Sequence, residues 1–173
     1  MFFPRVVVRM MSPGEVASLI DTHAAPLLLY ARQFCDAAED VVQEAFVKLV
    51  AAPRRPDEVV GWLYRVVRNG AIDAARGSRR RKRRECAAAR PVRWFVEDEV
   101  AGLDAGGAVA ALERLPQEQR EVIVARLWGG LGFEQIAAVA ACSASTAFRR
   151  YTAGIEALRQ ILGETCPDHS KTC

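Results

Sequence analysis

The chain has 173 residues, 51% of them hydrophobic and 26% charged, with 24 Lys and Arg against 21 Asp and Glu, a formal net charge of +3. At about 100 to 200 residues per domain, this length admits one domain or two small ones and excludes a large single-domain enzyme scaffold. No apolar run approaches the roughly 18 to 20 residues of a membrane span, so a cytoplasmic protein without membrane contact is expected. Five scattered cysteines, an odd number, point to reduced thiols rather than a disulfide framework.

Residues 1–11 contain a short β-branched run flanked by Arg5 and Arg9, and read as a disordered tail, with Met10 and Met11 as alternative starts. From Ser12 onward apolar residues recur at three and four rather than alternating, which predicts an all-α fold. Ser12 can cap a first helix, with Pro13 and Glu15 inside its first turn. That helix is expected to run to about Phe34, with Pro26 as a kink or boundary. Asp36 is placed to cap a second helix whose stripe is Ala38, Val41, Val42, Ala45, Phe46 and Leu49. After Pro53 to Pro56, Asp57 can start a third helix, weakened locally by Gly70 and Gly77.

Between Cys86 and Gly107 the periodicity dissolves. A short helix from Ala108 to Leu115 follows, then Gln117 to Trp128, a Gly129-Gly130 break, Glu134 to Ala140, and about Ala144 to Leu162. The predicted organisation is therefore two small helical domains, residues 12–85 and 108–163, joined by a flexible linker at 86–107 and followed by a tail at 164–173.

The charges are not spread evenly. Residues 54–85 carry eleven basic residues against four acidic, a local net of +7, including the unbroken run Arg79 to Arg84. Such a run is often no more than a solvated helix end, but here Trp62, Tyr64, Arg65, Arg68, Asn69, Asp73 and Arg76 lie just upstream. Aromatic rings stack on unpaired bases while arginines neutralise phosphates, so the combination suits single-stranded nucleic acid. The opposite sign gathers at Asp36, Glu39, Asp40 and Glu44, and again at Glu97, Asp98, Glu99 and Asp104. An acidic face suits a protein partner or plain solvation.

Residues 131–158 read as a helix-turn-helix: Glu134 to Ala140, a turn at Ala141-Cys142-Ser143, and a longer second helix capped by Ser143 or Ser145. Ala147, Tyr151, Ile155 and Leu158 would face inward. Thr146, Phe148, Arg149, Arg150, Thr152 and Ala153 would face a DNA groove or its flanks. A plain helical hairpin has a similar pattern.

At these residues the chain resembles the extracytoplasmic-function (ECF) group of the sigma-70 family of bacterial RNA polymerase sigma factors, from about Ser12 to Leu162. The segment Ala38 to Phe46 is similar to the region 2 helix that docks on the clamp helices of the polymerase β′ subunit. The resemblance implies core contacts by Asp40, Gln43, Glu44 and Val47, with Phe46 in the core. The segment from Trp62 to Asp73 and the arginine cluster resemble the part of region 2 that opens the promoter and reads the minus 10 element as single strand. That implies DNA contacts by Trp62, Arg65, Arg68, Asn69, Asp73, Arg76, Arg79 and Arg80. Leu115-Pro116, Arg120-Glu121-Val122 and the helix-turn-helix resemble region 4, which binds the minus 35 element as duplex. Its implied readers are Ser145, Thr146, Phe148, Arg149, Arg150 and Thr152. The acidic linker would follow the polymerase's nucleic-acid channels.

The implied partners are core RNA polymerase, through its β′ clamp helices and β flap, and promoter DNA, both duplex and single-stranded. An anti-sigma factor is a further partner common in the family. Four positions depart from the pattern: Phe148 and Ala153 stand where basic residues are frequent, Ala141 replaces a turn glycine, and Gly70 replaces an apolar residue.

No catalytic constellation, cofactor motif or complete metal-ligand set is evident, so neither enzyme activity nor a cofactor is expected. Cys166, His169 and Cys173 offer three soft ligands in the tail, short of the usual four, and a polar tail with incidental cysteines is the simpler reading. The rival function is a stand-alone helix-turn-helix repressor or activator. Such a protein has no use for a single-strand-reading surface between Trp62 and Arg84.

Overall fold

Ser12 closes a capping box on the first helix: its hydroxyl accepts the Glu15 amide at 3.2 Å and its own amide donates to the Glu15 carboxylate at 2.8 Å. The computed structural model describes residues 11–85 and 110–165, and in this range all regular structure is helical. The expected tail at 1–11 is thus described only at Met11, and the linker at 86–107 and the Cys166, His169, Cys173 tail lie outside the described residues.

Helix α1 spans Pro13–Arg32 and runs through Pro26 rather than ending there. A proline ring removes one amide donor and crowds the preceding turn. Here the helix persists because Leu27, Tyr30 and Ala31, directly after the proline, are buried. Helix α2, Ala38–Ala51, corrects another expectation. Its N-cap is Ala37 with no side-chain capping bond, and Asp36 stands one residue further out. Glu39 and Asp40 in the first turn supply the negative charge that a helix N-terminus favours.

Helix α3, Val59–Glu85, has 27 residues and continues through both glycines and the arginine run. At 1.5 Å per residue it is about 40 Å long. Gly70 has a packing role: a β-carbon there would stand 3.1 Å from a Val41 methyl, so its absence lets α2 approach α3 closely.

A short helical stretch over 110–113 precedes α4 (Gln117–Leu127), α5 (Phe133–Ala140) and α6 (Ala144–Thr165). In α4 five consecutive residues, Glu121 to Ala125, are all buried. Five residues take a helix more than once around its axis, so α4 is enclosed on every side. It packs against α6 on one flank and against α1 on the other, while α5 packs on α3. One core cluster therefore runs through both halves, joining Tyr30, Leu63, Tyr64 and Val67 to Val122, Val124, Leu131 and Ile136. A smaller cluster of Leu112, Leu115 and Ile123 lies under Ile155 and Leu158.

Candidate nucleic-acid interface

Helix α3 presents Arg65, Asn69, Asp73, Arg76, Arg79 and Arg80 to solvent. Most recur at three and four and so form one continuous row. Asp73 lies 3.4 Å from Arg76, with both side chains mostly exposed, an arrangement that contributes little stability and leaves the arginine available. Trp62 is half-buried and packs on the core.

Two aromatic and basic residues from this stretch do not sit as expected. Tyr64 is fully buried and cannot stack on a base. It shares the inward stripe of Leu63, Val67 and Ala71, a signal legible in the sequence that outweighs its neighbours' charge. Among the described residues its hydroxyl has no hydrogen-bond partner, and burial raises its pKa well above the ordinary tyrosine value. Arg68 turns away from solvent and donates from Nε to the Glu121 carboxylate at 2.7 Å, with its guanidinium 5.9 Å from the centre of the Phe34 ring. Burial works against its charge, but the bond to Glu121 prevails and keeps it charged.

Glu121, on α4, is 3% exposed. The same carboxylate oxygen accepts a second bond, from the Tyr30 hydroxyl at 2.7 Å. Burial and then the Glu121 charge push the Tyr30 phenol well above its usual range. Tyr30 also meets Tyr64 edge-on, with ring centres 4.9 Å apart. On the other side of Tyr64 comes Gly129, where a β-carbon would stand 2.5 Å from the phenol oxygen. Sequence reasoning noticed Glu121 only as part of a motif and gave it no role.

On α2, Asp40, Gln43, Glu44 and Val47 are all exposed and share one face. Glu44 pairs loosely with Lys48 at 3.4 Å, and Glu39 is held below the ordinary carboxylate range by its bond from Arg32. Phe46 is buried, 8% exposed, as expected of a core position. Next to this face an apolar groove of about 650 Å³ runs between α1 and α2, lined by Val16, Ile20, Leu28, Phe46, Val47 and Val50. Ile20 and Val50 had gone unremarked in the sequence, although Val16, Ile20 and Ala24 recur at the helical spacing of four.

In the second half, the turn between α5 and α6 is made by Ala141 at φ 53° and ψ 49°. The Ser143 hydroxyl accepts the Thr146 amide at 3.1 Å and caps α6. It also lies 2.9 Å from the Ser145 hydroxyl and 2.8 Å from that of Thr146, so three hydroxyls cluster at the start of α6. Ala147 is buried, with Tyr151, Ile155 and Leu158 half-buried beneath it. Ser145, Phe148, Arg149 and Thr152 are exposed, while Thr146 and Arg150 are partly so. Phe148 is 55% exposed, yet one edge of it packs on Phe133 with ring centres 5.3 Å apart. Arg126 covers another part of the Phe133 ring, at 5.1 Å. Phe148 is therefore fixed in direction while its outer edge remains free.

Comparison with known proteins agrees with this geometry. Residues 19–81 match the family model "Sigma-70 region 2" and residues 108–158 match "Sigma-70, region 4". The chain is 33% identical over 160 residues to the ECF RNA polymerase sigma factor SigL of Mycobacterium tuberculosis (strain ATCC 25618 / H37Rv), covering 85% of this chain and 88% of that one. It is 31% identical over 134 residues to the RNA polymerase sigma factor CarQ of Myxococcus xanthus, covering 73% and 75%. Among solved structures, the sigma factor RpoE of Bartonella quintana, in complex with the anti-sigma factor NepR, superposes with a TM-score of 0.67. It is 23% identical and the match covers 85% of this chain and 95% of that chain. CnrH, in complex with the cytosolic domain of CnrY, superposes at 0.58 with 23% identity, covering 90% and 92%.

Proposed function

We propose that this chain, which belongs to the ECF group of the sigma-70 family and is an RNA polymerase sigma factor, divides its work among three surfaces. Asp40, Gln43, Glu44 and Val47 on α2 meet the clamp helices of core polymerase. The row on α3, Trp62, Arg65, Asn69, Asp73, Arg76, Arg79 and Arg80, with Arg68 beside it, takes the minus 10 element as single strand. Ser145, Thr146, Phe148, Arg149, Arg150 and Thr152 on α6 meet the minus 35 duplex, with the flap of the β subunit as the second polymerase contact. The first two functions fall to residues 12–85, the third to 108–163, and the chain between them follows the polymerase channel.

The observation that carries this reading is the exposed row on α3. Cations there neutralise phosphates, and Asn69 and Asp73 offer donors and acceptors to base edges. A duplex-binding repressor has no use for such a row in addition to α6. Phe148, held by Phe133, is placed to touch a thymine methyl group, in place of the basic contact frequent in the family. The chain acts as an initiation factor and brings no reaction of its own, since the polymerase supplies the active site. We place it in the cytoplasm; among the described residues no helix is long and apolar enough to cross a membrane. The sigma factor RpoE of Bartonella quintana is solved with the anti-sigma factor NepR, and the same kind of control is proposed here.

Transcription reconstituted from the purified chain and core polymerase on a library of promoter fragments tests this directly. Enrichment of one promoter class, dependent on both components, is the expected result. Tight binding of the free chain to a duplex operator together with a silent transcription mixture would overturn it.

A further inference from the structure

We propose that α6 reads a 5-methylpyrimidine in the minus 35 duplex, so that 5-methylcytosine serves there in place of thymine, and that Phe133 is the positioning residue for this contact. The inference rests on the proposed seating of α6 in that duplex. Phe148 is 55% exposed, with exposed Ser145 one turn before it and exposed Thr152 one turn after. The hydroxyls on this face are engaged within the protein. Thr152 donates to the Phe148 carbonyl at 3.0 Å, and the Ser145 and Thr146 hydroxyls lie 2.9 Å and 2.8 Å from that of Ser143. At its middle the face therefore offers a base edge an aromatic ring. The apolar substituent that a base carries into the major groove is a methyl group at C5 of a pyrimidine. Thymine has it, and cytosine acquires it at the same atom on 5-methylation, although the neighbouring group changes from an acceptor to a donor. The Phe148 ring has no polar atom with which to tell the two bases apart.

A lone exposed aromatic is ordinary, but this one is supported from two other helices. Phe133 of α5 meets it edge-on, with ring centres 5.3 Å apart. Phe133 is itself packed on the core and against Tyr151 at 5.6 Å, and the Arg126 guanidinium of α4 lies 5.1 Å from its ring centre. Arg126 is fixed in turn by donating from Nη1 to the Leu131 carbonyl at 2.8 Å. A gap of about 0.5 to 1 Å forfeits a quarter or more of a dispersion contact, so a ring held along one edge keeps a methyl group that a swinging ring would lose.

The test uses the full chain assembled with core polymerase on the promoter class enriched in reconstituted transcription. Each thymine of the minus 35 element, on either strand, is replaced in turn by deoxyuridine, which lacks only the methyl group. The position that responds is then remade as a C·G pair with and without 5-methylation, and dissociation constants are measured at fixed salt. A methyl group buried against the ring should tighten binding about fourfold, for thymine over uracil and for 5-methylcytosine over cytosine alike. Both preferences should vanish in Phe148→Ala and shrink in Phe133→Leu. Each preference compares two duplexes on the same protein, so a mere loss of stability does not move it, and Phe148→Ala, at an exposed position, serves if Phe133→Leu fails to fold. The proposal is overturned if no thymine responds, if the response survives Phe148→Ala, or if 5-methylcytosine binds no better than cytosine. Undiminished preferences in folded Phe133→Leu would remove its positioning role. Failure of the underlying reading looks different: the assembled polymerase would then be indifferent to every base-pair change in the minus 35 element.

Discussion

Arg68 and Glu121, 53 residues apart in sequence, meet at 2.7 Å with their side chains only 21% and 4% exposed. A hydrogen bond to a charged group in such surroundings contributes about 1.5 to 3 kcal/mol, and more is lost when one partner is left behind unpaired. A double-mutant cycle with Arg68→Met and Glu121→Leu is therefore expected to give a coupling of about 2 kcal/mol in chemical denaturation, with each single substitution costing more than the pair. A coupling near zero would mean that the two side chains do not share a buried contact in solution.

Much of the architecture was legible because its causes are local. The Ser12 capping box, the amphipathic stripe of α2, the Gly129-Gly130 break and the short α5 before the longer α6 each depend on residues a few positions apart. Pro26 and Asp36 misled for the complementary reason. Burial of Leu27, Tyr30 and Ala31 carries α1 past the proline, and the chain enters α2 one residue later than the aspartate would set. The seam between the halves had one faint local signal, the block Val122 to Ala125, apolar on all sides of a short helix. What such a helix packs against is a long-range matter, and nothing near Glu121 in sequence points to Tyr30 or Arg68.

The Tyr64 hydroxyl, buried without a partner among the described residues, carries a desolvation cost that no bond offsets. Tyr64→Phe is therefore expected to stabilise the protein by about 1 kcal/mol in denaturant titrations. A clear loss of stability would show that the hydroxyl is satisfied.

Alkaline pH provides a linked test of Tyr30 and Tyr64. Both phenols are held above their ordinary value when folded, Tyr30 by burial and then the Glu121 charge, Tyr64 by burial. A raised folded value means that the contribution to stability is complete below the unfolded value of about 10 and is lost as pH climbs above it. Each tyrosine should remove about 1.4 kcal/mol per pH unit in that range. Unfolding free energies measured across it should fall, and Tyr64→Phe should make that fall shallower by about one tyrosine's share.

Ala141 occupies a left-handed backbone conformation that costs a residue with a β-carbon about 1 to 2 kcal/mol. Glycine relieves that strain but gains freedom in the unfolded chain, so Ala141→Gly is expected to stabilise by about 0.5 to 1 kcal/mol. Thermal melting checks the sign. If the variant melts lower, the turn between α5 and α6 has a different conformation in solution.

Arg79 and Arg80, exposed toward the C-terminal end of α3, give the single-strand reading a quantitative consequence. Each phosphate neutralised on a single strand contributes about 0.7 to the slope of log affinity against log salt. Replacing both arginines with glutamine should lower that slope by about 1.4 and weaken binding most at low salt, with little change in melting temperature because neither guanidinium is buried. Arg149→Gln on α6 should instead alter the slope only for duplex carrying the minus 35 element. If the Arg79 and Arg80 replacements leave the single-strand slope unchanged, the path of the strand runs elsewhere on the protein, whereas an equal loss of slope on duplex and single strand would make the α3 row a general phosphate patch.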